Sequence, residues 1–120
     1  MFDGREPIFL QIADRIRSEV LDGSLREGEQ VMSTTQYATA YRINPATAAK
    51  GLNHLVADGV LYKRRGVGMF VATGARDQLL KRRRSEFADQ YLRPLMTEAQ
   101  KLGIPAHELT DMIDTWGDRR

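Results

Sequence analysis

The chain has 120 residues, 42% of them apolar and 28% charged, which suits one small core with an appendage rather than two full domains. It has no cysteine, and its two histidines, His54 and His107, lie far apart, which excludes a disulfide framework and a thiolate zinc site; no metal and no cofactor are expected. The net charge of +2 conceals segregation: residues 1–30 hold four Lys/Arg against seven Asp/Glu, residues 31–84 ten against two, and residues 85–120 four against seven, so the middle is a cationic block suited to a phosphate backbone.

No apolar run approaches the length of a membrane span. The start, Met1-Phe2-Asp3-Gly4-Arg5-Glu6, lacks the basic-then-apolar order of a signal peptide. A cytoplasmic protein with no membrane partner is expected.

The first helix is expected from about Pro7 to Asp22. Ile8, Ile12, Ile16 and Val20, with Phe9 and Leu21 beside them, form one apolar stripe, and Gly23 stops it. A turn-rich connection through Leu25 and Gly28 follows, with Val31-Met32 placed to add a short edge strand. Ser33 caps a short second helix, Thr34 to about Tyr41, whose inner side carries Tyr37, Ala38 and Tyr41. After the turn Arg42-Ile43, Asn44 caps a third helix with Pro45 at its first position, and Gly59 ends it. Ala48, Leu52, Leu55 and Val56 face a core, while Ala46, Thr47, Lys50, Asn53 and Ala57 face elsewhere. Gly51, costly inside a helix by about 1 kcal/mol against Ala, marks close packing on a neighbouring helix.

Val60-Leu61-Tyr62-Lys63-Arg64-Arg65 and Met69-Phe70-Val71 read as two strands joined by Gly66-Val67-Gly68, whose glycines supply the backbone angles of a tight hairpin. Two helices linked by a few residues and followed by a basic hairpin make a winged helix-turn-helix, in which the second helix of the pair enters the major groove.

From Gly74 the pattern changes. Ala75 to Leu102 is one long helical stretch with an apolar stripe of Leu79, Leu80, Phe87, Tyr91, Leu95, Ala99 and Leu102, kinked or divided near Tyr91 to Arg93 by Pro94. Gly103-Ile104-Pro105 ends it, and Ala106 to Trp116 forms a last helix with Leu109, Met112, Ile113 and Trp116 turned inward. Two helices cannot enclose a core alone, so Phe87, Tyr91, Leu95, Leu102, Leu109, Ile113 and Trp116 are expected to pack against the same surface of a second chain. For Lys81-Arg82-Arg83-Arg84 two readings stand, contact with flanking phosphate and simple solvation. The fold expected is mainly α with a small β-hairpin wing: a winged helix-turn-helix over residues 1–73, then a two-helix dimerisation tail over residues 74–120.

The segment from Ser33 to Val71 resembles the DNA-binding domain of GntR-type bacterial transcription regulators, and Arg64-Arg65-Gly66-Val67-Gly68-Met69-Phe70-Val71 matches the closing motif of that family. Asn44-Pro45 in place of the usual Ser-Arg, and Pro7-Ile8-Phe9 with Gln11-Ile12, resemble its short YtrA-like branch. Met32 stands where the family has proline, and Thr35, Pro45 and Ala49 stand where it has DNA-contacting arginines. Specificity then rests on Thr34, Thr35, Asn44, Thr47, Lys50 and the wing, or on DNA shape. The resemblance also implies a homodimer and a small-molecule effector bound near the tail.

Catalysis has no support. There is no phosphate-cradling loop with lysine and no nucleophile elbow; Gly66-x-Gly68 lacks the following helix of a nucleotide site, and His107-Glu108 reads as a solvated pair. The function expected is a sequence-specific regulator of transcription, a repressor, binding double-stranded DNA as a homodimer through Ser33, Thr34, Thr35, Asn44, Pro45, Thr47, Lys50, Arg64, Arg65, Gly66 and Gly68. The alternative is a winged protein-interaction module without operator-specific binding.

Overall fold

The computed structural model describes residues 4–119; residues 1–3 of the opening stretch and residue 120 lie outside them. The described chain is mostly helical with one two-stranded antiparallel hairpin. It divides into two compact units, the first ending at Lys81 and the second starting at Arg82.

In the first unit, helix α1 (Ile8–Asp22) buries Ile12, Ala13, Ile16 and Val20 at helical spacing, and Gly23, in the left-handed region at φ 88°, terminates it. Helices α2 (Thr34–Tyr41) and α3 (Pro45–Ala57) are joined by a tight turn in which Arg42 takes the left-handed conformation at φ 55°. Ala48, Gly51, Leu52 and Leu55 form the buried face of α3. Gly51 shows why a glycine is tolerated inside this helix. A Cβ there would lie 3.0 Å from the Phe9 carbonyl oxygen and 3.4 Å from Ile12 Cγ2, so α1 and α3 approach as closely as their backbones allow.

Strands β1 (Leu61–Arg64) and β2 (Gly68–Val71) pair in register Leu61 with Val71, Tyr62 with Phe70, Lys63 with Met69 and Arg64 with Gly68. The first is shorter than the sequence suggested, by Val60 and Arg65, and the second one residue longer, by Gly68. Val60 is fully buried and instead closes the exit from α3, its amide donating to the Leu55 carbonyl and its carbonyl accepting from Ala72. The edge strand is also displaced. Gln30, not Val31-Met32, bridges Phe70, flanked by bonds from Val71 N–H to the Glu29 carbonyl and from Val31 N–H to the Met69 carbonyl, both 2.9 Å. Met32 lies exposed because the next residue, Ser33, already opens the cap of α2.

One core joins these elements, and Ala75 and Leu79 of helix α4 (Ala75–Phe87) belong to it. The first compact unit therefore extends into α4 and ends at Lys81.

In the second unit the long helical stretch is interrupted by a π-helical turn, Ala88–Leu92, before helix α5 (Arg93–Lys101). Arg93 N–H reaches back to the Ala88 carbonyl, and the widened turn ends at Leu92, two residues before Pro94, whose ring crowds the Gln90 carbonyl in a regular helix. Gly103, at φ 69°, turns the chain into helix α6 (Ala106–Trp116), and a short 3₁₀ turn, Gly117–Arg119, follows. Of the stripe residues in this unit only Ala99 and Leu109 are buried. Met112, Ile113 and Trp116, expected to face inward, are exposed, because two helices offer too little surface to cover them.

Gly51→Val is expected to lower the unfolding free energy by about 1–3 kcal/mol, since the branched side chain must force apart a backbone carbonyl and a packed isoleucine. Urea denaturation measures this, and an unchanged midpoint would show that the α1–α3 approach has slack.

Candidate nucleic-acid interface

Both helices of the pair begin with side-chain caps. Ser33 Oγ accepts from Gln36 N–H at 3.1 Å while Gln36 Oε1 accepts from Ser33 N–H at 2.8 Å, a complete capping box. Asn44 Oδ1 accepts from Ala46 N–H at 2.7 Å, and Pro45 occupies the first turn of α3. The caps define where each helix starts, and helix N-termini carry the partial positive charge that favours phosphate. Behind α2, Tyr37 is anchored in the core. Burial pushes its hydroxyl well above the ordinary range, and the charges of Glu19 and Tyr41 push the same way, so it stays neutral.

The outer face of α3 is small and polar. Asn44, Pro45, Ala46, Lys50 and Asn53 are exposed, and Thr47 and Ala49 are half-buried. Phe9, from α1, borders this face. Its ring lies edge-on to His54, with centroids 6.0 Å apart, and the Lys50 ammonium sits 4.2 Å from its centroid. Lys50 is thus held by a cation–π contact at the rim of an open hollow lined by Phe9, Ala46, Ala49, Lys50, Asn53 and His54.

On the hairpin, Tyr62 and Phe70 stack across the strands at 5.6 Å, and the Arg64 guanidinium lies 5.3 Å from the Phe70 centroid. The Val67 amide closes the turn on the Arg64 carbonyl at 2.9 Å, with Gly66 at φ 75° and Gly68 at φ 144°. Arg64, Arg65 and Val67 are exposed. Gln30 reaches this loop from the edge strand, its Nε2 donating to the Val67 carbonyl at 3.0 Å. Gly68 lies directly beneath that amide, and its φ of 144°, strained for any residue with a side chain, is why the position takes glycine.

Of the residues singled out in the sequence, Ser33, Thr34, Thr35, Asn44, Pro45, Thr47, Lys50, Arg64, Arg65, Gly66 and Gly68 all belong to the first unit, and all but the half-buried Thr34, Thr47 and Gly68 are exposed. Phe87, Tyr91, Leu95, Leu102, Ile113 and Trp116 are exposed in the second, where Leu109 alone of that group is buried. Two residues with a place at this surface escaped the sequence reading. Phe9 counted as part of an apolar stripe and of the opening-helix resemblance, not as a DNA-facing residue, and Gln30 carried no signal. Among the described residues no group of three His, Asp or Glu is placed to hold a metal, and no helix is long and apolar enough to cross a membrane.

Comparison with known proteins agrees with this architecture. Residues 9–71 match the family described as bacterial regulatory proteins, gntR family. The HTH-type transcriptional repressor YtrA of Bacillus subtilis (strain 168) is 26% identical over 107 residues, covering 89% of this chain and 82% of YtrA. A crystal structure of a GntR-family transcriptional regulator from Bacteroides thetaiotaomicron is 31% identical and superposes with a TM-score of 0.76 over 93% of this chain and 97% of its own. The DNA-binding domain of AraR, solved in complex with operator ORX1, is 25% identical with a TM-score of 0.56 over 60% of this chain and 93% of that domain. With capped helices, a basic hairpin and a matching family segment on one core, the chain belongs to the gntR family of bacterial regulatory proteins, DNA-binding regulators of transcription and not enzymes.

Proposed function

We propose that this protein is a cytoplasmic repressor that binds a twofold-related operator as a homodimer, with residues 1–73 as its DNA-binding domain and residues 74–120 as its dimerisation tail. The observation that carries the reading is the combination, on one core, of two capped helix starts with an exposed cationic hairpin. Asn44, Thr47 and Lys50 meet base edges in the major groove, where Thr34 and Thr35 add to specificity, with Ser33 and Pro45 at the adjoining backbone. Arg64, Arg65, Gly66 and Gly68 lie on the minor groove or its phosphates. The repressor sign draws support from YtrA, itself a repressor.

The homodimer rests on the second unit. Tyr91, Leu102 and Trp116 there are each more than 60% exposed, and Phe87, Leu95 and Ile113 are exposed beside them. Water-facing apolar surface of this extent marks an interface, and a symmetric partner presents the same surface. A small-molecule effector is part of the same proposal. Its support is an open groove of about 540 Å³ along the π-helical turn and α5, lined by Ala88, Leu92, Met96, Ala99 and Ile104 among others.

Arg64→Ala and Arg65→Ala are each expected to reduce the slope of log affinity against log salt by about one, on operator and on mixed-sequence duplex alike. An unchanged slope with lost sequence preference would make these arginines base readers, and a salt-independent affinity would favour a protein-interaction module. Lys50→Ala is expected to cost ~1–3 kcal/mol of discrimination between operator and mixed sequence; equal losses on both duplexes would assign Lys50 to phosphate. Ile113→Asp should convert the dimer to monomer in sedimentation equilibrium while the unfolding of the first unit is unchanged. A wild-type chain already monomeric at micromolar concentration would end the dimer proposal.

A further inference from the structure

We propose that Gln30 is a positioning residue for the DNA-binding wing: its side-chain amide fixes the hairpin loop so that Arg64 and Arg65 meet DNA without first having to be ordered. The inference rests on the wing reading above. A two-stranded hairpin is marginal alone, and this one carries three loop residues, Arg65, Gly66 and Val67, between its last paired positions. Two glycines at positive φ flank Val67, and glycine backbone is the freest to move. Backbone pairing from the edge strand stops at Val31 with Met69 and so supports β2 but not the loop.

The Gln30 side chain extends past that limit. It donates to the Val67 carbonyl at 3.0 Å across a sequence separation of 37 residues, with its Nε2 lying over Gly68. The bond is exposed, so its loss leaves the Val67 carbonyl to water and the core untouched. What is lost is preorganisation. A freed loop must be ordered when it binds, and that entropic cost falls on affinity and not on folding.

The test uses the full chain, with Gln30→Met as the variant that keeps length and neutrality but has no donor. A short mixed-sequence DNA duplex at low salt is the probe, since the wing arginines act on phosphate. The expected result is affinity weakened about fivefold to tenfold, an unchanged melting temperature, and lower backbone order parameters at residues 66–68 by NMR relaxation. In an Arg64→Ala/Arg65→Ala background Gln30→Met should cost nothing further. If Gln30→Met leaves affinity intact while the double arginine variant weakens it, the wing reading stands and Gln30 has no positioning role. A loss that persists without the two arginines would show that Gln30 touches DNA directly, which also overturns the proposal. If the double arginine variant itself binds normally, the wing reading and this inference fail together.

Discussion

The contact between α1 and α3 at Gly51 decides what the first unit presents to its surroundings. With the Phe9 carbonyl 3.0 Å from where a Cβ would stand, the two helices lock at one separation, and Leu52 and Leu55 are driven fully into the core. Once that face is committed, the opposite one is fixed as well. Residues at positions 46, 49, 50 and 53 of a 3.6-residue helix are left outside, and three of them are small or uncharged. The same approach carries Phe9 to the edge of α3, where its ring gives the Lys50 ammonium a fixed neighbour in place of open solvent. A backbone packing constraint thus becomes the placement of a cation.

The wing solves a different problem. Arginines on a free hairpin carry charge but no fixed direction, and their entropy is lost on binding. Here the hairpin is tied at its base, where Leu61 and Val71 pair and are buried with Leu55 and Val60, and Arg64 lies over Phe70, which Tyr62 stacks against from the facing strand. The loop between Arg64 and Gly68 is closed by the Val67 amide on the Arg64 carbonyl, and there the chain adds a side chain from the edge strand, Gln30, on the Val67 carbonyl. Stability and placement come from separate contacts, so each is open to measurement without the other.

Local chemistry was legible in the sequence, and chemistry between distant residues was not. Ser33, Asn44, Pro45 and Gly23 act on amides and carbonyls a few residues away, and each stands where the sequence placed it. Gly51 was readable because a glycine inside a helix asks for a neighbour. Gln30 gave nothing, since an amide in a polar connection has no period, and its partner lies 37 residues on. The edge strand was misplaced by one or two residues because Val31, the apolar residue that suggested it, is buried beside the bridge and not in it. In the tail the apolar stripe was visible, but a stripe does not say what covers it. The spacing turns Ile113 and Trp116 inward, yet both are exposed, and the proposed second chain is the partner that their position asks for.

The central claim is that α3 and the wing bind DNA as a symmetric pair. Hydroxyl-radical footprinting on a genomic fragment selected by the full-length protein tests it most directly. Two protected patches should appear on one face of the duplex, related by a twofold axis and separated by about one helical turn or a whole multiple of it. A single unsymmetric patch, or protection that moves along the fragment without a preferred position, would contradict the account.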